Sequence, residues 1–280
     1  MTKAGLDTQE ERGNTVAERF AGRLMMNVPG LRGARLSELI RRVNEDDELY
    51  ALWLAANVNA VERLGMTDHG PTHVKIVMNI ADKLLRLLLR HGVQPGVVSE
   101  YGMENEEAEV VVVLASLFHD VGMSIHRLDH EAFSLFVAQD KLRRLLDGVY
   151  DTATATILRS EILHAIIGHR TSGRPLTLEA GIVRVADALD MAAGRSRISV
   201  ASGSTSIHSL SAAAIESVQL ESGDGKPVRV RIRMSNSAGV FQLDHLFREK
   251  LAGSGLERYV ELEANIEGES EKSLFTTYHL

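Results

Sequence analysis

The chain has 280 residues, 44% of them hydrophobic, and 38 acidic against 31 basic side chains give it a net charge of -7. That is enough for one sizeable core with a smaller second unit, and the acidic balance argues against a general binder of nucleic-acid backbone while leaving room for a locally basic pocket. Cysteine is absent, which excludes disulfides, thiolate ligands and cysteine nucleophiles and leaves imidazole and carboxylate to hold any metal.

The opening MTKAGLDTQEERGN is polar and has no signal-peptide core, and the strongest apolar run, Val110 to Phe118, is far short of the roughly 20 residues of a membrane helix. The chain therefore reads as cytoplasmic, with no membrane partner. Leu36, Leu39, Ile40 and Val43, then Leu49, Leu52, Trp53 and Ala56, recur at helical spacing on either side of the acidic break at Glu45 to Glu48. In TDHGPTHVKIVMNIADKLLRLLLRHG, Thr67 or Asp68 is placed to cap, Pro71 suits a first turn and Gly92 follows the end. His73 then falls in the first turn of a helix whose buried stripe is Val74, Val77, Ile80, Ala81, Leu84 and Leu88.

Acidic residues from Glu104 to Glu109 open the next helix, and its Val110 to Phe118 segment, apolar on all sides, predicts a central buried position. His119 and Asp120 end it, with Gly122 as the expected terminator. Further helices are predicted over 129–146, 152–169 and 178–193. The Ser-rich SVASGSTSIHSLS then reads as a connector. Beyond it, AIESVQLES and PVRVRIRMS alternate with period two around GDGKP, Phe241 to Leu251 returns to helical spacing, RYVELEANIE alternates again, and SLFTTYHL is a candidate last strand. The expected fold is mainly α: a helical bundle over residues 1–198, followed by a small α+β (β-β-α-β) domain over 199–280.

His73, His119, Asp120 and Asp187 fall at or near the ends of helices predicted to face a core. A lone His or Asp is usually a core, cap or solvated residue. An adjacent buried His-Asp pair after a fully apolar segment is different, because both must be compensated, and a divalent cation satisfies both.

The order His, His-Asp, Asp, with THVKIV around His73, SLFHDVGM around His119 and Asp120, and VADALD around Asp187, resembles the HD-domain superfamily of metal-dependent phosphohydrolases over about residues 50 to 195. The resemblance implies a helical HD domain in which His73, His119, Asp120 and Asp187 are metal ligands. It further implies that Asp120 bridges two metals or positions and deprotonates the attacking water. Asp190 is expected to support the ligands from behind. Members with two metals carry extra histidines between the HD pair and the last Asp, and His130 and His169 resemble them in order and context. His164, about 140° around the helix from His169, is expected in the core or behind the ligands, and His126 and His69 at the surface or against substrate.

Imidazole and carboxylate without thiolate suit Mn²⁺, Fe²⁺, Co²⁺, Ni²⁺ or Mg²⁺, as one or two ions. Such a cation activates water and polarises a phosphoryl oxygen, while positive charge is needed around the equatorial oxygens. Arg170 and Arg195 lead the candidates for that charge, with Arg174, Arg197 and Lys75 behind them. After His169 comes RTSGRP rather than the HHE and GYP elements of the cyclic-dinucleotide phosphodiesterases. VGMSIHR after the HD pair lacks both the acidic pair of the guanosine-tetraphosphate hydrolases and the HPPFGH-like stretch of the deoxynucleotide triphosphohydrolases. No KH segment precedes the domain. The expectation is a phosphohydrolase acting on a nucleotide or related small phosphorylated metabolite. The alternatives are a metal-containing nucleotide-binding sensor with little turnover, or an RNA-binding module using Arg229, Arg231 and Arg233 on one strand face. Nucleic acid is not the expected partner, and an exposed sheet edge would allow a homodimer.

Overall fold

Residues 15–191, 211–266 and 277–279 are described in the computed structural model. Arg195, Arg197, most of the Ser-rich connector and the expected domain boundary at 198/199 lie outside the described residues. Among the described residues, nine α-helices precede the connector: α1 (Val16–Ala21), α2 (Ala34–Glu45), α3 (Asp47–Asn57), α4 (Pro71–Arg90), α5 (Gly96–Tyr101), α6 (Asn105–Phe118), α7 (His130–Leu146), α8 (Thr152–Gly168) and α9 (Leu178–Leu189). Asp46 makes the break between α2 and α3, where its side chain accepts the Leu49 N–H at 2.9 Å and so caps the second helix. The run then passes from α3 into a π-helical turn, Val58–Arg63. None of the described helices is long and apolar enough to cross a membrane.

The sequence Val110–Phe118 is buried around its whole circumference, which makes α6 the axis of the bundle, packed against α4, α8 and α9. Trp53 locks α3 onto it by donating its indole N–H to the Leu117 carbonyl at 2.9 Å. Two sequence expectations change here. The cap of α4 is Gly70, not Thr67 or Asp68; the Asp68 carboxylate accepts the Gly70 N–H at 2.7 Å and shapes the preceding loop instead. Gly122 does not terminate α6, which ends at His119. It lies in a 3₁₀ turn, Val121–Ser124, where a Cβ would sit 2.0 Å from the His130 carbonyl oxygen and 2.4 Å from the Ser134 nitrogen. Glycine is there because the start of α7 passes against the turn, and Ser134 joins the two by accepting the Gly122 N–H and donating to the His119 carbonyl.

In the C-terminal part, β1 (Ile215–Ser222) and β2 (Val228–Met234) form the expected antiparallel hairpin. Helix α10 spans 240–251, with π geometry at Leu243–Phe247. It returns the chain to β3 (Val260–Ile266), parallel to β2, and β4 (Thr277–His279) pairs antiparallel with β3, giving the order β1-β2-β3-β4. Val228, Val230, Ile232 and Met234 point into the same continuous apolar cluster as the helices. On the opposite face Arg229 meets Glu261 at 2.8 Å and Asp224 at 2.7 Å, Arg231 meets Glu221 at 2.9 Å, and Arg233 meets Glu216 at 3.3 Å. Flanking carboxylates thus neutralise the basic stripe on which an RNA-binding reading depended.

Arg184 joins the two parts. It stands in α9 with 2% of its surface exposed and donates to carbonyls on both sides. Those of Arg170 (2.8 Å), Thr171 (3.0 Å) and Gly173 belong to the loop after α8, and those of Lys250 (2.8 Å) and Glu249 (3.1 Å) to the end of α10. A planar guanidinium with five N–H donors can satisfy this many acceptors at once. Arg184→Met should cost about 3 kcal/mol of unfolding free energy, because it strands several carbonyls without a donor; a loss below about 1 kcal/mol in denaturant titration would show that the clamp is dispensable. Gly122→Ala should cost a similar amount by overpacking the turn against α7, and an unchanged melting temperature would contradict the close approach.

Candidate metal centre

Five helices present their ends to one point. His73 comes from the first turn of α4, His119 and Asp120 from the end of α6, His130 from the start of α7, His169 from the end of α8, and Asp187 from the last turn of α9. The C-terminal ends of α6, α8 and α9 bring partial negative charge there, which favours a cation. His73, His119, Asp120, His130 and His169 are all buried.

The imidazoles are oriented by their Nδ1 atoms. His119 Nδ1–H donates to the Ser116 carbonyl at 2.7 Å, His169 Nδ1–H to the Ile166 carbonyl at 2.6 Å, and His73 Nδ1–H to the Asp190 carboxylate at 2.6 Å. A carbonyl or carboxylate can only accept, so these bonds place the proton on Nδ1 and turn Nε2 into the site. Asp190 therefore supports His73 from behind. His130 is held by Arg127, whose carbonyl lies 3.0 Å and guanidinium 2.8 Å from its Nδ1.

The inward atoms form two overlapping sets. In the first, His73 Nε2 lies 3.2 Å from His119 Nε2, 3.3 Å from Asp120 Oδ2 and 3.5 Å from Asp187 Oδ1. His119 Nε2 lies 3.3 Å from the same Asp120 oxygen and 3.7 Å from the same Asp187 oxygen. These separations are those of ligands about 2.1 Å from a shared cation. In the second set the other Asp120 oxygen, Oδ1, faces His130 Nε2 at 3.2 Å and His169 Nε2 at 3.7 Å. Asp120 thus turns one oxygen to each set. Glu131 adds a carboxylate beside His130 and His169, giving a further group able to hold a metal. It has no sequence signal beyond its adjacency to His130.

The electrostatics suit a cation. Burial raises the Asp120 carboxyl, but the charge of His119 and hydrogen bonds from His119, His130 and His73 hold it well below the usual carboxylate range. Burial likewise opposes ionisation of Asp187, yet the Lys250 ammonium and hydrogen bonds from His119 and His73 carry it well below that range too. At His119 burial disfavours the charged imidazolium, and Asp120 and Asp187 outweigh it, raising the group to about 9. His169 moves the other way, pushed well below the imidazole range by burial, by Lys250 and by His119.

The remaining sequence candidates divide clearly. His69, expected at the surface or against substrate, is 9% exposed, donates Nδ1–H to the Thr67 carbonyl at 2.7 Å and brings Nε2 to 4.0 Å from Asp120. His126 is exposed, and its Nδ1 accepts the Leu128 N–H. His164 is half-buried and accepts the Leu176 N–H at 3.0 Å, away from the centre. Arg170 is turned to Asp129 at 3.2 Å and Glu131 at 3.8 Å, and Lys75 donates to the Met25 carbonyl on the far side of α4. The centre opens into a cavity of about 560 Å³ whose cationic lining residues, among those described, are Arg127 and Lys250. Sequence reading had singled out neither.

The family model for the HD domain matches residues 72–192, a span that begins one residue before His73 and ends beyond Asp187 and Asp190. Uncharacterized protein MJ1020 of Methanocaldococcus jannaschii is 41% identical over 220 residues, covering 79% of this chain and 84% of that protein. The likeness therefore runs well past the HD helices on at least one side. With the His, His-Asp, Asp order converging on one buried point, the chain belongs to the HD-domain family.

Proposed function

We propose that the protein is a metal-dependent phosphohydrolase that cleaves a phosphate ester of a nucleotide or related small metabolite. What supports this most is the donor set: imidazole Nε2 atoms and carboxylate oxygens converge on one point, each histidine fixed from behind by a bond to its Nδ1. His73, His119, Asp120 and Asp187 would hold one divalent ion. His130 and His169, facing the second oxygen of Asp120, would hold another with it. Bound there, such an ion supplies Lewis acidity toward a phosphoryl oxygen and makes water nucleophilic near neutral pH.

The residues do the rest. Asp120, ionised and with one oxygen turned to each set, is the group that would fix the two ions relative to each other and so orient the attacking water. Asp190 keeps the His73 ring in one tautomer and one orientation, and as a fixed acceptor for the Nδ1–H it raises the basicity of Nε2 as a ligand. The cavity is within the size range of small-molecule sites, and its wall combines the polar centre with apolar Leu64, Met66 and Leu246. That mixture suits a phosphorylated metabolite with an apolar or ring-bearing part.

Protein supplied with Mn²⁺ or Co²⁺ should release phosphate from at least one member of a panel of nucleotides, cyclic nucleotides and sugar phosphates. Asp120→Ala should lower that rate by about a thousandfold or more while keeping cooperative unfolding. Tight ligand binding without turnover across the whole panel would contradict the hydrolase reading and favour a sensor.

A further inference from the structure

The wall of the cavity opposite the HD helices is made by α10, from the C-terminal part of the chain. Gln242, Leu246 and Lys250, four residues apart in sequence, all line it, and the segment between the first and last includes the π-helical turn Leu243–Phe247. Local π geometry re-aims side chains and is frequent at functional sites. The row spans on the order of 10 Å along the helix, with its cationic end at the metal centre.

Lys250 is that end. Its Nζ donates to Asp187 Oδ2 at 3.2 Å and to the His169 carbonyl. The other Asp187 oxygen, Oδ1, faces His73 and His119. The ammonium therefore approaches Asp187 from the side away from the imidazoles, beside the space where a phosphoryl group would meet the cluster. Two contacts occupy two of its three N–H donors, leaving one for the cavity. Among the described residues, the other cations near the centre are Arg127, which bonds to His130, and Arg170, which is turned to Asp129 and Glu131.

A purely structural role, tying α10 to α9, is the competing explanation. It is weakened by Arg184, which already anchors the end of α10 through the Lys250 and Glu249 carbonyls. Lys250, 12% exposed, meets the charge of the partly exposed Asp187 carboxylate on one side and lines the cavity on the other, so its remaining N–H donor suits a ligand that brings negative charge. A transferring phosphoryl group carries that charge on its equatorial oxygens.

We propose that Lys250 contacts the phosphoryl group of the substrate, so that α10 of the C-terminal unit forms one wall of the active site rather than an appended module. The proposal rests on the phosphohydrolase reading of the centre. In full-length protein loaded with Co²⁺, inorganic phosphate serves as the probe, titrated by calorimetry against wild type, Lys250→Met and Lys250→Arg. Lys250→Met should bind Co²⁺ as wild type does, since removing a neighbouring positive charge does not weaken cation binding, while its phosphate affinity falls about tenfold or more. Lys250→Arg should recover most of that loss. If Lys250→Met fails to fold, Lys250→Gln takes its place in the same comparison. Phosphate affinity unchanged in the neutral variant, or Co²⁺ and phosphate binding lost together with thermal stability, would overturn the proposal and leave Lys250 a structural residue. Wild-type protein that binds no Co²⁺ would instead overturn the metal-centre reading beneath it.

Discussion

Burial of charge at the ends of apolar helices is the constraint from which the rest of the architecture follows. Asp120 and Asp187 are carried into the interior on α6 and α9, where an uncompensated carboxylate would cost several kcal/mol. Compensation comes from imidazoles delivered by four separate helices. Each of His73, His119 and His169 is immobilised through its Nδ1, so the Nε2 atoms have little freedom to turn away. The bundle's helix packing and its chemistry are therefore one problem: α6 must be central for its end to be reached from every side.

The same economy governs the second part of the chain. Its sheet closes the apolar cluster on one face and spends its arginines against glutamates on the other. The sheet packs against α4, and α10 packs against α9 beside the metal centre. Arg184 fixes the end of α10 from within α9, three residues from Asp187. Docking of the C-terminal unit and geometry of the metal centre thus share one helix, so a disturbance at either is felt at the other.

Much of this was legible in the sequence because it depends on local pattern. The apolar run before His119 marks a buried helix, period-two alternation marks the strands, and the His, His-Asp, Asp order identifies the family. What was not legible depends on contacts between distant segments. Lys250 is 63 residues from Asp187, and no periodicity links them. Asp190 could be placed near the ligands from its spacing, but its bond to His73 crosses 117 residues. Arg184 carried a faint signal, a lone cation inside the apolar stretch IVRVADAL. Neutralisation of the arginine stripe could have been anticipated from the matching alternation of Glu261 and Glu263, once β3 was placed beside β2. Gly122 read as a helix stop because close backbone approach and chain termination select the same residue.

The central claim is that the buried cluster exists to hold divalent cations, with Asp120 shared between two positions. Metal stoichiometry tests it most directly, by elemental analysis of protein purified without chelator or added metal and by calorimetric titration with Mn²⁺ or Co²⁺. The account predicts about two ions per chain at saturation, about one in a His130→Ala, His169→Ala double variant, and none bound tightly in Asp120→Ala. Protein that binds no divalent ion, or binds it equally well after Asp120→Ala, would contradict the account.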